Sequence, residues 1–176
     1  MTKKMIAIII ISAVLLSTTV GGVVAYMIKI IQGGEKQFEA AKVSCTLNET
    51  FVNDQKSNVT VTNTSNVDVF VRVRLVTYWV DGSGNVVNEA PANINFALGE
   101  DWIKSASSNT YYCKEPLAKG GTTSDLLNGQ KLTLVSKNGY KQVIEVFAEV
   151  IQANPAQAAQ EGWGVTITNN QINSAP

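Results

Sequence analysis

The side chains able to do chemistry are few: two cysteines, Cys45 and Cys113, a thin set of carboxylates and some lysines, with no histidine at all. Without histidine the commonest general base and the commonest ligand of catalytic zinc are both missing, so no nucleophile, base and acid can be assembled. Glu49, Glu100, Asp101 and Asp125 follow no spacing that pairs them, and a solvated face accounts for them better than acid and base work does. Glu100 and Asp101 beside Asp81 would supply oxygen ligands for calcium, a minor reading. Gly120-Gly121-Thr122-Thr123 superficially resembles a phosphate cradle, but no strand-loop-helix with a lysine accompanies it, and a loop is the better account. No cofactor and no enzymatic activity are expected.

The cysteines are too few and too far apart for a zinc or iron-sulfur site. Behind an export signal a disulfide is the natural reading, closing a long loop worth about 4 kcal/mol at most; two buried free thiols are the alternative. Lys42, Lys114 or Lys131 could join an asparagine through an isopeptide bond in an apolar core, though nothing selects a pair. Trp79, Trp102 and Trp163 with Tyr78, Tyr111 and Tyr112 would make either a carbohydrate platform or ordinary core packing. Asn48-Glu49-Thr50, Asn58-Val59-Thr60 and Asn63-Thr64-Ser65 match the glycosylation sequon, a frequent coincidence in such chains.

With 14 basic and 14 acidic side chains the net charge is zero, so nucleic acid is not an expected partner. A basic start, Lys3-Lys4, precedes an uncharged stretch from Met5 to Ile28, which as a helix would span about 36 Å against a hydrocarbon core of about 30 Å. The lysines should stay in the cytoplasm and the bulk of the chain outside. Residues 1–25 read as a signal peptide cut between Ala25 and Tyr26, or as a retained membrane helix continuing through Ile31. Residues 26–42 form a polar arm whose sparse apolar positions, Ile28, Ile30 and Phe38, are available to a neighbour, either as a linker or as a strand added to the next copy's sheet.

Residues 43–176 carry the β pattern, organised around Val67 to Val80. Val67, Val69, Val71, Val73 and Leu75 share one parity and one buried face; Asp68, Arg72 and Arg74 point the other way. From Val76 onward both parities are apolar or aromatic, so that end should be covered on both faces or lie under another chain. Asp81 to Asn85 makes a turn into Val86-Val87. Shorter strands are expected at Val43–Leu47, Asn58–Thr62, Ile94–Leu98, Asp101–Lys104, Thr110–Lys114, Leu132–Val135 and Gln142–Gln152, with Asn138-Gly139 the strongest hairpin signal. Next to the central strand, Glu145 and Glu149 would face Arg72 and Arg74. Ser124 would cap a single turn holding Leu126 and Leu127, and Asn154-Pro155 a short helix ending at Gly162, before a last strand or extended tail over Trp163–Thr168. The fold class is all-β, an antiparallel two-sheet sandwich of jelly-roll or immunoglobulin-like type with one short helix, preceded by the N-terminal hydrophobic helix.

These residues resemble the Firmicute proteins exported through a SipW-type signal peptidase, the TasA and camelysin group that includes clostridial biofilm surface antigens. The resemblance runs from Gly21-Gly22-Val23-Val24-Ala25-Tyr26 through Lys42-Val43-Ser44-Cys45 and Asn58 to Thr64, then the Val-Arg-Val-Arg run with Tyr78-Trp79. It continues with Tyr111-Tyr112, Pro116, Gly120 to Thr123, and Ile151-Gln152-Ala153 to Gly162-Trp163-Gly164-Val165. Met27-Ile28-Lys29-Ile30 departs from the group's usual Thr-Asp stretch. The resemblance implies a secreted or surface-held jelly-roll-like sandwich that self-assembles into matrix fibres or pili by lending its N-terminal segment to the next subunit. Camelysin-like members are classed as metalloproteases, an activity not carried over to a chain without histidine. A biofilm fibre or pilus subunit is therefore the expected function, with the signal peptidase, the membrane before cleavage and further copies of itself as partners. A membrane-anchored adhesin or carbohydrate-binding module is the alternative.

Overall fold

The computed structural model describes residues 41–176. The cleavage site expected at Ala25 and Tyr26, the donor positions Ile28, Ile30 and Phe38, and the N-terminal hydrophobic helix lie outside the described residues.

The described residues form antiparallel β-sheets with one short helix. The larger sheet contains β3 (Val69–Val80), β4 (Val86–Val87), β5 (Trp102–Lys104), β6 (Thr110–Cys113), β8 (Ser136–Lys137) and β9 (Tyr140–Gln152). Its order is β5-β6-β3-β9-β8, with β4 on the end of β3. The smaller sheet has the order β1-β2-β7, from β1 (Cys45–Val52), β2 (Gln55–Asn63) and β7 (Leu132–Thr133). A helix, α1 (Gln157–Trp163), and a hairpin of β10 (Thr166–Thr168) and β11 (Gln171–Ser174) follow.

β3 is the centre. It pairs with β9 from Val69↔Gln152 to Val80↔Lys141, and on its other side with β6. Val69, Val71, Val73 and Leu75 point to the smaller sheet and are buried with Val59 and Val61 of β2, Trp102, Tyr111, Leu126 and Leu127. The opposite face is covered at one end only, where Phe70 and Tyr112 pack with Ala159 and Trp163 of α1, Val165 and Ile172. At the far end Val76 on that outer face is exposed, because α1 and the last hairpin stop short of it, so of the two expected arrangements cover by the chain's own described segments is not the one formed.

The chain passes between the sheets three times, after β2, after β6 and after β7. After β6, Leu117 exchanges two backbone hydrogen bonds with Val69, and the next residues run along β2, where the amides of Asn63, Thr123 and Leu126 donate to Gly121, Val61 and Leu126's partner Val59. Gly120-Gly121-Thr122-Thr123 is therefore part of a sheet edge, Thr123 Oγ1 accepting from the Val61 amide at 3.0 Å. The run Leu132–Val135 is not one strand: Leu132-Thr133 pair with β2, whereas Ser136-Lys137 pair with β9.

Asparagines supply the left-handed residues of the tight turns. Asn53-Asp54, Asn138-Gly139 and Asn169-Asn170 all have positive φ at both positions, as two-residue type I′ hairpins require. Only Asn138-Gly139 is legible without the structure. Asn58, at φ 54, sits where the β1–β2 register shifts; the extra residue in β2 reverses its parity and turns Lys56 inward.

Other local expectations are corrected. Ile94–Leu98 is not a strand, since it joins no ladder although Ile94 is buried. The turn at Leu126 is held by Asp125, whose carboxylate accepts the Leu127 and Gly129 amides, and not by Ser124. Asn154 caps nothing: the Asn154-Pro155 bond is cis, the helix opens after Ala156, and it includes Trp163. It ends at Gly164, whose φ of 69 suits a left-handed cap and whose amide donates to Gln160 O.

Candidate functional site

Hydrogen-bond alternation identifies which backbone groups of each strand face outward. In an antiparallel strand the N–H and C=O of alternate residues point to opposite neighbours. The Ala153 amide donates to Asp68 O on the β3 side, whereas the Gln142 amide donates away from β3, to Val135 O. It follows that Ile144, Val146, Ala148 and Val150 turn their backbone groups to the edge opposite β3, where among the described residues β9 has a strand partner only at Tyr140 and Lys141.

β1 is built the same way. It pairs with β2 alone among the described residues. Lys42 and Ser44 carbonyls accept from the Asn66 and Thr64 amides on the β2 side, so Cys45, Leu47, Glu49 and Phe51 direct theirs to the open side. Two strand edges with unpaired backbone groups, one in each sheet, thus flank the same side of the core.

Side-chain burial marks the same side. The inward residues of β3, Val69, Val71 and Val73, are 0% exposed, yet Val146, Ala148 and Val150 of β9 and Cys45 and Leu47 of β1 are only partly covered. Between the end of β1 and the first half of β9 lies an open groove of about 750 Å³. Phe51, Leu134, Val143, Val146 and Phe147 give it an apolar lining, and Phe51 and Phe147 are 53% and 47% exposed. Lys56 lies at its wall, its ammonium 2.8 and 3.0 Å from the two Glu49 oxygens and 5.6 Å from the Phe51 ring centre.

Phe51 and Phe147 do not stand out in the sequence, because each belongs to a strand whose missing neighbour is a tertiary property, and Lys56 does not because the bulge at Asn58 turns it inward.

The residues singled out for chemistry are dispersed. Cys45 and Cys113 are free thiols, so the expected disulfide is not formed; Cys45 opens β1 at the edge of the smaller sheet and Cys113 closes β6 within the larger one. Burial raises the Cys45 thiol above its ordinary value and pushes Cys113 up to about 11. Among the described residues no cluster of acids and thiols could hold a metal ion. Asp81 instead organises its own turn, accepting from the Ser83 and Asn85 amides, and these bonds lower its carboxyl below the ordinary range. Lys42 and Lys131 are exposed, and Lys114 donates to Glu100 O, so none stands in an apolar core where an isopeptide bond would form.

The aromatics form no exposed platform. Trp79, Trp102 and Trp163 are buried, with the indole N–H groups of the first two donating to Ala90 O and Ser124 O. Glu149 does face the two arginines, 2.9 Å from Arg72 Nε and 2.9 Å from Arg74 Nη2, while Glu145 accepts from the Tyr78 hydroxyl. Asn63, one of the sequon asparagines, is fully buried and cannot carry a glycan in the folded chain. No described helix is long and apolar enough to cross a membrane.

Comparison with protein-family models, curated proteins and solved structures finds no match for this chain.

Proposed function

We propose that the protein is a non-enzymatic structural subunit of the cell surface or extracellular matrix, a jelly-roll-like sandwich that assembles into fibres by accepting the N-terminal segment of a neighbouring copy. The reading is supported above all by the paired open edges of β1 and β9, with half-covered apolar residues between them. An unpaired edge is a hazard in a monomer and an attachment site in a polymer. A strand laid along β9 would bond Ile144, Val146, Ala148 and Val150 through its backbone while its alternate side chains covered Val146 and Leu47. That is β-strand addition, in which main-chain bonds give affinity and side-chain pockets give register. Export past a signal peptidase would release residues 26–40 as the donor. The aromatic carbohydrate-binding alternative loses its support, since all three tryptophans are buried.

The test is filament formation by the processed protein, seen by negative stain, against two variants: deletion of residues 26–40, and Val146→Pro. Proline at 146 removes an N–H that faces the open edge and leaves the β3 ladder intact. Loss of filaments in both, with circular dichroism unchanged, is the expected result. Filaments of parental length from folded Val146→Pro would show that β9 is not the acceptor.

A further inference from the structure

Two Asn-Gly pairs occur among the described residues, and the structure makes them a matched pair. Asn128-Gly129 and Asn138-Gly139 are all exposed, and all four residues have positive φ, at 51 and 73 in the first and 55 and 81 in the second. What differs is the glycine amide. Gly129 donates its N–H to Asp125 Oδ2 at 2.8 Å, whereas no hydrogen bond engages the Gly139 amide, which sits at the tip of the β8–β9 hairpin.

That amide nitrogen is the nucleophile of asparagine deamidation. It loses its proton to solvent base and attacks the asparagine Cγ, the Cγ–NH2 bond breaks, and ammonia leaves, giving a succinimide. Water then opens either carbonyl to yield aspartate or isoaspartate. A hydrogen bond donated to a carboxylate holds the proton on the nitrogen and must be broken before attack, a bond stronger than the neutral kind.

We propose that Asn138 is a site of spontaneous covalent modification in this protein, deamidating through Gly139, and that Asp125 protects Asn128 from the same fate. The product at Asn138 adds a negative charge, and as isoaspartate an extra backbone atom, to a two-residue turn that fixes the pairing of Ser136 with Lys141. β8 is the described strand that borders the open edge of β9, so the modification loosens that boundary.

The experiment is ageing of the full chain at mildly alkaline pH, followed by peptide mapping with mass spectrometry to count acid at each asparagine. In the folded protein, acid is expected at Asn138 about tenfold faster than at Asn128. In denaturing urea, where both are plain Asn-Gly peptides, the rates should converge. Asp125→Ala should raise the Asn128 rate in the fold without touching Asn138. Equal rates in the folded chain would overturn the proposal, as would a rate difference that survives denaturation. If Asp125→Ala does not fold, the urea comparison alone decides.

Discussion

Asn63 Nδ2 donates to Leu117 O at 2.9 Å, fastening the last residue of β2 to the segment that leaves the larger sheet. The same amide also donates to Val67 O, and its Oδ1 accepts the Ser65 amide. Asn63→Ala removes three hydrogen bonds, leaving the buried Ser65 amide and the Val67 carbonyl without this partner while Leu117 O keeps the Val69 amide, and is expected to destabilise the fold by about 2–3 kcal/mol in urea unfolding. A loss below ~0.5 kcal/mol would mean that water replaces the amide without penalty.

Backbone alternation along β9 predicts opposite outcomes for neighbouring prolines. Val146→Pro removes an outward N–H and should cost about 1 kcal/mol, mostly through side-chain packing. Phe147→Pro removes a bond of the β3 ladder and should cost roughly 3 kcal/mol or more, although Phe147 is the more exposed side chain. Thermal melts of the two variants in one buffer check the order; its reversal would reverse the assignment of the open edge.

On the outer face, Glu149→Gln is expected to cost only about 0.5–1 kcal/mol, less in high salt, because the carboxylate is 38% exposed. Trp163→Ala should cost about 3 kcal/mol or more, since the ring is buried against Tyr112 and carries the Arg72 guanidinium 4.8 Å from its centre. Chemical denaturation at low and high salt separates the two, and a Trp163 loss no larger than that of Glu149 would discount the outer cluster.

Cys113 supplies a pH test. Burial raises its thiol from 9.0 to about 11, so the folded state holds this proton more tightly than the unfolded one. The contribution is fully present below pH ~9 and is lost as pH rises towards ~11, on the order of 2–3 kcal/mol in all. Cys113→Ala or Cys113→Val should flatten the alkaline limb of the stability profile. In the native protein at pH 8, a thiol-specific reagent should modify Cys45 well before Cys113; equal rates would contradict the burial of Cys113.

The sequence carries the parts of this fold that depend on a strand's own alternation. Val69, Val71, Val73 and Leu75 announce the buried face of β3, Asn138-Gly139 the β8–β9 hairpin, and Glu149 its own place opposite two arginines. Phe70 has the wrong parity for that face and is buried all the same, because its cover arrives from α1 and β11, far along the chain. Leu132 to Val135 reads as one apolar strand, yet the Leu134 amide donates to Asp54 O just before the chain changes sheets. The Asn58 bulge inverts the pattern of β2, so Lys56 turns inward although its parity is opposite to that of Val59 and Val61. The open groove was least legible of all, since a strand sequence does not state whether its second neighbour exists.

The pairing of β3 with β9 joins residues roughly 60 to 80 positions apart, which is high contact order and implies slow folding. Emerging from the ribosome, β3 has its longest partner only after Gln152 has followed it out. Until then the most apolar strand of the chain is a half-finished sheet whose free edges can pair with those of another nascent copy, so the time spent waiting for β9 is the time most exposed to aggregation.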